Sequence, residues 1–299
     1  MTLDHEIASL FCVGFHGTSP SPEVKELVRR GVHGVILFAR NVVDAEQVAA
    51  LVAELKTYAG RPLLVAVDQE GGRVARLRGP QGFTELPPMR ALGERGDAAL
   101  AREVGALLGR ELRAVGIDQD YAPVVDVDTN PANPVIGDRA FSREPEVVGR
   151  LGAALAEGLQ AQGVAACAKH FPGHGDTSQD SHRDLPRLPH DLEMKAVAEH
   201  FPLEEAAPGA VLAGVDALLV CHHAEVQHRA IDLVRTAVED GRIPRARLAE
   251  ARARIAGLLR FAGPSPDPAR ARERLRTEAH LALAARIPAH AAGRDPTAA

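Results

Sequence analysis

One segment of this sequence concentrates side chains that commonly perform acid–base chemistry. Residues 169–186 read KHFPGHGDTSQDSHRDLP, and their prolines and glycines favour a fixed, irregular path. Within the segment, Asp180 and His182 lie two residues apart. A carboxylate at this spacing can hold an imidazole in one tautomer and tune its basicity, so His182 is a candidate general acid/base near pH 7. A polar surface loop with hydrogen-bonded histidines is the alternative interpretation.

The same segment raises the question of a metal site. His170 and His174 are side chains that zinc and iron accept as ligands. Their spacing needs a helix to align the two rings, and Pro172 with Gly173 between them opposes a helix. We therefore do not expect these histidines to bind a metal ion.

Polar residues also cluster directly after four apolar, strand-like runs. Each run and the polar residues that follow it are: His33–Phe38, followed by Arg40 and Asn41; Pro62–Val67, followed by Asp68–Arg73; Tyr121–Val125, followed by Asp126 and Asp128; and Val164–Ala168, followed by Lys169–His174. In parallel α/β folds, the loops at the carboxyl ends of the strands form the active site. The four clusters are therefore predicted to meet at one face, the alternative being that they are simply solvated strand ends.

Helices are predicted between these strands. The segments with helical periodicity or composition are Asp44–Tyr58, Asp97–Val115, Glu146–Gln162, Ala224–Glu239 and Arg245–Leu259. Apolar strands that alternate with amphipathic helices indicate a parallel sheet covered on both faces. One α/β barrel of about 250 residues fits the chain, so a barrel domain is predicted over residues 1–262. Residues 263–299 are rich in Pro, Arg and Ala, and a loosely attached helix followed by a disordered tail is expected there.

The number of predicted strands is too small for a closed barrel. With Ala8–Phe15 and Val215–Val220 added to the four runs above, the sequence provides six strands, whereas a closed barrel needs eight. The gap falls between Ala168 and Val215. We therefore predict an incomplete barrel that lacks about two strand–helix units.

Composition excludes several classes of partner. The formal net charge of −5 and the pI near 6.2 provide no basic face for nucleic acid. No stretch approaches the roughly 18 apolar residues of a membrane span, and the N-terminus lacks the basic region of a signal peptide. The cysteines Cys12, Cys167 and Cys221 lie far apart in apolar runs and are expected to be buried thiols. A cytoplasmic protein that binds neither nucleic acid nor membrane is therefore expected.

Four long motifs occur in an order and spacing that resemble a known family. They are GVILFARN at residues 34–41, DQEGGRVARL at 68–77, NPVIGDRAFS at 133–142 and the segment 169–186 quoted above. This set resembles the bacterial β-N-acetylhexosaminidases of glycoside hydrolase family 3, which remove N-acetylglucosamine from recycled cell-wall fragments. The resemblance covers about residues 5–190 and resumes from 191 to about 257. It implies a TIM-barrel-like (β/α)8 fold and a small-molecule or oligosaccharide substrate that contains N-acetylglucosamine.

The resemblance also implies which residues bind the sugar. Asp68 would accept hydrogen bonds from sugar hydroxyls, and Arg76, Arg139, Lys169 and His170 would fix the sugar and its ring substituents. Recognition of a pyranose needs charged and amide groups that converge on its hydroxyls, so these roles are chemically reasonable. Internal salt bridges that shape the loops are the alternative role for Asp68 and Arg139, and both roles are compatible.

The catalytic residues that the resemblance implies are only partly present. His182 would be the general acid/base, oriented by Asp180. The family's nucleophile is the first aspartate of an Asp-Asp-Leu-x-Met motif, and here His190 occupies that position while Asp191 matches the second. Between His190 and Asp191 the family carries two further strand–helix units, roughly 60 residues. Asp191 has therefore lost the strand that would position it, and only a rearranged loop could bring it to the pocket.

Two classes of function follow from this departure. The first is a retaining exo-β-N-acetylhexosaminidase, with a β-N-acetylglucosaminide phosphorylase as a variant of it. The second is an inactive, truncated barrel that at most binds an amino sugar. The missing strands would also leave sheet edges that need cover, for which a homodimer is one arrangement.

Overall fold

The computed structural model describes residues 2–130, 132–171, 173–175, 192–193 and 201–288. Its strands are β1 (Phe11–Val13), β2 (Gly34–Leu37), β3 (Leu64–Val67), β4 (Gln69–Gly71), β5 (Val74–Ala75), β6 (Gln119–Asp120), β7 (Ala165–Ala166) and β8 (Leu218–Val220). Its helices are α1 (Leu3–Ala8), α2 (Pro22–Arg30), α3 (Ala45–Ala59), α4 (Met89–Arg95), α5 (Ala98–Ala114), α6 (Pro145–Ala161), α7 (Leu203–Leu212), α8 (Ala224–Glu239), α9 (Arg245–Leu258) and α10 (Glu278–Ala285). Strands and helices alternate along the chain, as the sequence predicts.

Six of the strands form one parallel sheet in the order β7-β6-β3-β2-β1-β8. Strands that follow one another in the chain are neighbours, and the last strand pairs with the first, which is the order of an α/β barrel. Among the described residues, the sheet ends at β7 on one side and at β8 on the other. The TIM-barrel-like fold is confirmed, and the opening lies where the sequence predicts two missing units.

The two faces of the sheet pack against different partners. The inner face carries a small apolar cluster that consists of Cys12, Ile36, Ala66 and Cys221. Side chains on the outer face, Val35, Val65 and Val67 among them, join the main hydrophobic core under the helices. Because successive residues of a strand point to opposite faces, this division follows from the register of the strands. Among the described residues, no helix combines the length and the apolar character that a membrane crossing requires.

One strand differs from its prediction. The sequence predicts a strand at Tyr121–Val125, whereas β6 is Gln119–Asp120. Pro123 cannot donate to a ladder, which ends the regular pairing early. Val124 nevertheless forms an isolated parallel bridge with Lys169. Gln119 and Asp120 are buried polar residues, a composition that does not resemble a core strand.

A buried carboxylate connects the sheet to the helices at the amino ends of the strands. Asp118, which is fully buried, accepts hydrogen bonds from Lys56 Nζ at 2.8 Å and Arg113 Nη1 at 2.5 Å. It also accepts from the backbone N–H of Val65 at 3.0 Å and of Gly263 at 2.9 Å. Helices α3 and α5, strand β3 and the start of the C-terminal segment are therefore held by one side chain.

The C-terminal segment, residues 263–288, is more closely packed than the sequence suggests. Ala271, Leu275, Leu283 and Ile287 are buried in the main core. The loose attachment expected for this segment is therefore not what the described residues show. The division into domains at 262/263 stays a prediction, and the disordered tail was predicted for residues of which 289–299 lie outside the described part of the chain.

We predict that Asp118→Asn lowers the free energy of unfolding by about 3–5 kcal/mol, because it leaves the buried Lys56 ammonium without its carboxylate. Urea denaturation at pH 7 measures this change. The matched control is Glu54→Gln, which neutralises the carboxylate of the Lys25–Glu54 pair (2.8 Å), both of whose side chains are solvent-accessible, and should cost less than about 1 kcal/mol. Equal effects of the two substitutions would contradict the role given to Asp118.

Candidate active site

The site begins where β3 ends. Asp68 follows β3 directly, and Glu70 lies two residues further in β4. Between them, the Gln69 N–H donates to Asp120 Oδ1 at 2.9 Å, while Gln69 Oε1 accepts from the backbone of Arg76 and Leu77 at 2.9 and 3.0 Å. Because alternate residues of an extended chain share a side, fixing Gln69 one way directs both carboxylates the other way.

Lys169 joins these two carboxylates. Its Nζ lies 2.7 Å from Asp68 Oδ1 and 2.6 Å from Glu70 Oε1. The backbone of Lys169 is fixed by the bridge to Val124 and by a hydrogen bond of 2.6 Å from the Val125 N–H to its carbonyl. The end of β7 is thereby connected to the end of β3 across the mouth of the barrel.

Two arginines join Asp68, Glu70 and Lys169 and complete what we call the charge network. Arg139, on the 3-10 turn Gly137–Arg139, donates to both oxygens of Glu70 at 2.8 Å each. Arg76 Nη2 lies 3.3 Å from Asp68 Oδ2. The internal salt bridges weighed for Asp68 and Arg139 are therefore present. They also give the site a fixed arrangement of donors and acceptors, since a bidentate arginine–carboxylate pair is geometrically specific.

His170 is oriented by a carboxylate that sequence reasoning did not assign to the site. Asp126 Oδ2 lies 2.6 Å from His170 Nδ1 and also accepts the His170 backbone N–H at 3.2 Å. The other oxygen of Asp126 accepts the His174 N–H at 2.5 Å. His170 Nε2 lies 3.4 Å from Arg139 Nη2. Since Nδ1 donates its N–H to the Asp126 carboxylate, Nε2 is the acceptor that faces the guanidinium.

The charges of the network reinforce one another. Burial acts to raise the pKa of Asp68 and Glu70, but the cations beside them outweigh burial and hold both pKa values below their ordinary range. Burial acts to lower the pKa of Lys169 and Arg139, and the same carboxylates raise both. For His170, burial and the charges of Lys169 and Arg139 lower the pKa and outweigh the hydrogen bond to Asp126, which raises it. The net downward shift favours the neutral imidazole.

Exposure divides the network into two groups. The side chains of Asp68, Lys169 and His170 are 16, 14 and 14% exposed, so each is partly accessible to solvent. Glu70 and Arg139 are each only 2% exposed. The buried pair holds the accessible ones in place. Accessible acceptors and donors at the carboxyl ends of parallel strands suit a ligand with several hydroxyl groups.

The sequence-predicted residues thus fall into two sets. Asp68, Arg76, Arg139, Lys169 and His170 are brought together at one face of the barrel. The catalytic candidates lie outside the described residues; they are Asp180, His182 and Asp191. No group of histidine, cysteine, aspartate or glutamate suited to a metal ion occurs among the residues that the structure describes.

Two residues that follow Asp191 in the chain are placed. The Leu192 N–H donates to Leu219 O at 3.3 Å, on the edge of β8 that faces away from β1. The carboxylate of Glu193 accepts the backbone N–H groups of three successive residues at 2.7, 2.6 and 3.0 Å; these are Cys221, His222 and His223. This short segment is therefore anchored at the carboxyl end of β8, on the same face of the barrel as the charge network.

Sequence reasoning placed Glu70 and Asp126 after strands without giving either a role. The signal for Glu70 was its position two residues after Asp68, which puts both on one side of an extended chain. Asp126 offered a weaker signal, because its partner His170 is distant in the sequence. The parallel pairing of β6 with β7 and the bridge between Val124 and Lys169 bring the two segments into register.

The fold is a TIM-barrel-like α/β fold, and the site lies at the carboxyl ends of its strands, where such folds carry their active sites. The sequence model of the glycosyl hydrolase family 3 N-terminal domain matches residues 2–193 and residues 190–258. The chain therefore belongs to glycoside hydrolase family 3.

Relatives agree with this assignment. A β-hexosaminidase of Thiobacillus denitrificans is 48% identical over 197 residues, which are 64% of this chain and 53% of the relative. One of Bordetella avium is 50% identical over 183 residues, 59% of this chain and 50% of the relative. The chain spans about half the length of these curated relatives.

Solved structures share the fold. A family 3 β-N-acetylglucosaminidase of Paenibacillus sp. FPU-7 has a TM-score of 0.87 and 34% identity, covering 96% of this chain and 68% of that protein. NagZ of Neisseria gonorrhoeae, solved with N-trifluoroacetyl-D-glucosamine, has a TM-score of 0.70 and 28% identity, covering 93% of this chain and 96% of that protein.

The depressed pKa of Glu70 predicts a pH-dependent contribution to stability. Its contribution is present above the ordinary pKa of about 4.5 and is lost as the pH falls further toward the folded-state pKa. At pH 7, Glu70→Gln should therefore lower the free energy of unfolding by about 3–5 kcal/mol, and the difference from wild type should narrow at pH values below 4.5. Urea titrations across this pH range measure the difference.

The control for this prediction is Glu157→Gln, which removes the carboxylate of an exposed pair with Arg102. It should change stability by less than about 1 kcal/mol at any pH. A Glu70→Gln difference that stays constant between pH 7 and pH 3 would show that Glu70 is not an ionised partner of the two cations.

Proposed function

We propose that this site binds the terminal, non-reducing β-linked N-acetylglucosamine of a cell-wall muropeptide or a related glycoside. The observation that carries the proposal is the arrangement of accessible Asp68, Lys169 and His170 over the buried Glu70–Arg139 pair. Asp68 accepts from sugar hydroxyls and Lys169 donates to them, while the oriented imidazole of His170 contacts a ring substituent. The relatives named above, β-hexosaminidases and β-N-acetylglucosaminidases, support this choice of sugar.

The reaction we propose for such a site is hydrolysis with retention of anomeric configuration. A retaining glycosidase needs an acid/base on one side of the scissile bond and a nucleophile near the anomeric carbon. His182, oriented by Asp180, is proposed as the acid/base, and Asp191 is the carboxylate available as nucleophile. No metal or organic cofactor takes part in this proposal.

Three observations support a low rate for this chain. The family match ends at 193 and begins again at 190, which is what a deletion between His190 and Asp191 would produce. The described part of the sheet has six strands. The segment after Asp191 is hydrogen-bonded to β8, which in the barrel order is the strand beyond the gap. A carboxylate displaced by even about 1 Å loses much of its catalytic advantage, so we propose sugar binding with little turnover.

Phosphorolysis is the alternative reaction, and it would use the same residues. A histidine acid/base is neutral when deprotonated and does not repel phosphate, whereas a carboxylate would. Inorganic phosphate added to the assay distinguishes the two reactions, because only phosphorolysis yields N-acetylglucosamine 1-phosphate. The homodimer and the cytoplasmic location remain predictions from the sequence.

We predict that N-acetylglucosamine raises the melting temperature of the purified protein while 4-nitrophenyl β-N-acetylglucosaminide is hydrolysed negligibly. The binding residues are assembled, but the nucleophile lacks its strand. Thermal denaturation with increasing sugar and a release assay for 4-nitrophenol measure the two quantities. Lys25→Ala, remote from the site, is the control for nonspecific effects. Robust turnover that Asp191→Ala abolishes would show that Asp191 has taken the nucleophile's place, contrary to the low turnover that we propose.

We predict that His182→Ala lowers any residual turnover by about 10²–10⁴-fold, the contribution typical of general acid–base catalysis. The sugar-induced rise in melting temperature should be kept, since His182 is not among the residues proposed to bind the sugar. Turnover is measured both on the aryl glycoside and on a disaccharide with a poor leaving group. A near-normal rate on both substrates would remove His182 from the mechanism.

A further inference from the structure

Glu111, on helix α5, is a buried carboxylate that the proposed chemistry does not use. It is 4% exposed and joins two segments that are far apart in the sequence. From the first segment, Thr84 donates its backbone N–H at 2.9 Å and its hydroxyl at 2.6 Å. From the C-terminal segment, the Arg276 N–H and His280 Nδ1 each lie 2.9 Å from Glu111 Oε1. Four partners on one carboxylate make this a specific connection.

The segment that contains Thr84 supports the turn of the β4–β5 hairpin, at Gly71 and Gly72. Leu86 accepts the Gly72 N–H at 2.8 Å. A Cβ added to Gly71 would lie 2.9 Å from the Pro87 carbonyl oxygen, and one added to Gly72 would lie 2.7 Å from Pro88 Cβ. Both glycines have positive φ, +94° and +58°, which side chains rarely adopt. The turn therefore lies directly against residues 86–88 and depends on their position.

The hairpin turn positions the charge network through the residues on either side of it. Glu70, immediately before it, holds Arg139 and Lys169. Arg73, immediately after it, donates to Asp138 at 2.8 Å and to backbone carbonyls just before the 3-10 turn that carries Arg139. A shift of the turn would thus displace Glu70 relative to the cations that it orients.

The C-terminal segment reaches this hairpin across open space. A cavity of about 760 Å³ lies between the hairpin turn and the end of α10, with Gly71, Leu86 and Ala284 among its lining residues. Direct packing between the C-terminal segment and the hairpin turn is limited at this cavity, so hydrogen bonds carry more of the connection between the two. The hydrogen bonds of Glu111 provide that link.

We propose that Glu111 is a positioning residue for the sugar site: it fastens the loop of residues 84–88 to the C-terminal segment, and thereby sets the affinity for N-acetylglucosamine. This inference rests on the proposed function of the site. It makes the part of the C-terminal segment that contacts Glu111, around Arg276 and His280, contribute to positioning the site.

The chain contains a matched control for this proposal. Asp118 is also a buried carboxylate that holds the C-terminal segment, through the Gly263 N–H. Its other partners are on β3, α3 and α5, at the amino ends of the strands. Asp118→Asn should therefore destabilise the protein without moving the hairpin turn, whereas Glu111→Gln should do both.

The experiment compares wild type, Glu111→Gln, Thr84→Val and Asp118→Asn by calorimetric titration with N-acetylglucosamine, well below all melting temperatures. Thr84→Val keeps the shape of the side chain and removes only the hydroxyl donor, so it tests the link even if Glu111→Gln folds poorly. We expect Glu111→Gln and Thr84→Val each to raise Kd for N-acetylglucosamine by about tenfold, a change in the range of one lost hydrogen bond. Asp118→Asn should leave Kd within about twofold.

A second measurement does not depend on the sugar. Hydrogen exchange of the Gly72 amide, read by NMR, should be faster in Glu111→Gln and Thr84→Val and unchanged in Asp118→Asn. The proposal would be overturned if Glu111→Gln and Thr84→Val left both Kd and Gly72 exchange unchanged. It would also be overturned if Asp118→Asn changed these two quantities as much as they do. If wild type fails to bind the sugar while Gly72 exchange responds as expected, the proposed function fails and the link between Glu111 and the hairpin stands.

Discussion

Glu70 is almost entirely removed from water, and its two oxygens are occupied by Arg139 and Lys169. Removing an ionised carboxylate from water costs several kcal/mol, so it is tolerated only beside well-placed opposite charges. That requirement fixes the ends of three strand–loop units relative to one another, since the three residues follow β3, precede α6 and follow β7. The more accessible groups adjoin these three residues: Asp68 pairs with Lys169, and His170, which Asp126 orients, faces Arg139.

The constraint is also consistent with the sugar site that we propose, although the described part of the barrel sheet is open between β7 and β8. The charge network uses β3, β6 and β7 and the loops that follow them, all on one side of the opening in the described sheet. By resemblance, the family's nucleophile belongs to the part of the barrel that this sequence is predicted to lack. Under our proposal, sugar binding and catalysis are therefore separable, because buried charges hold the residues proposed for binding and catalysis depends on a strand.

Much of this arrangement is encoded locally and could be predicted from the sequence. Helices α3, α5 and α6 lie within a residue or two of their predicted bounds, since they have regular periodicity. Asp68, Lys169 and His170 were placed at strand ends by pattern and given roles by resemblance. The position of β6 was not predictable, because its buried residues, Gln119 and Asp120, are polar and are stabilised by distant backbone groups.

Interactions between segments distant in the sequence account for the rest of what was missed. Asp126 orients His170 over a separation of 44 residues, and Glu111 meets His280 over 169. The packing of residues 263–288 depends on such partners, so their composition alone suggested a loose attachment. Local patterns report the strands and helices, whereas the buried hydrogen bonds that order the site depend on tertiary contacts.

A crystal structure of the protein grown with saturating N-acetylglucosamine tests the central claim most directly. The account predicts the pyranose at the carboxyl ends of β3 and β7, with its hydroxyl groups within hydrogen-bond distance of Asp68 and Lys169 and with the Glu70–Arg139 pair intact. A sugar bound elsewhere, or a site that stays empty at saturating sugar, would contradict it. A structure with the sugar bound and the Glu70–Arg139 pair separated would also contradict the account, because the buried pair would then oppose binding.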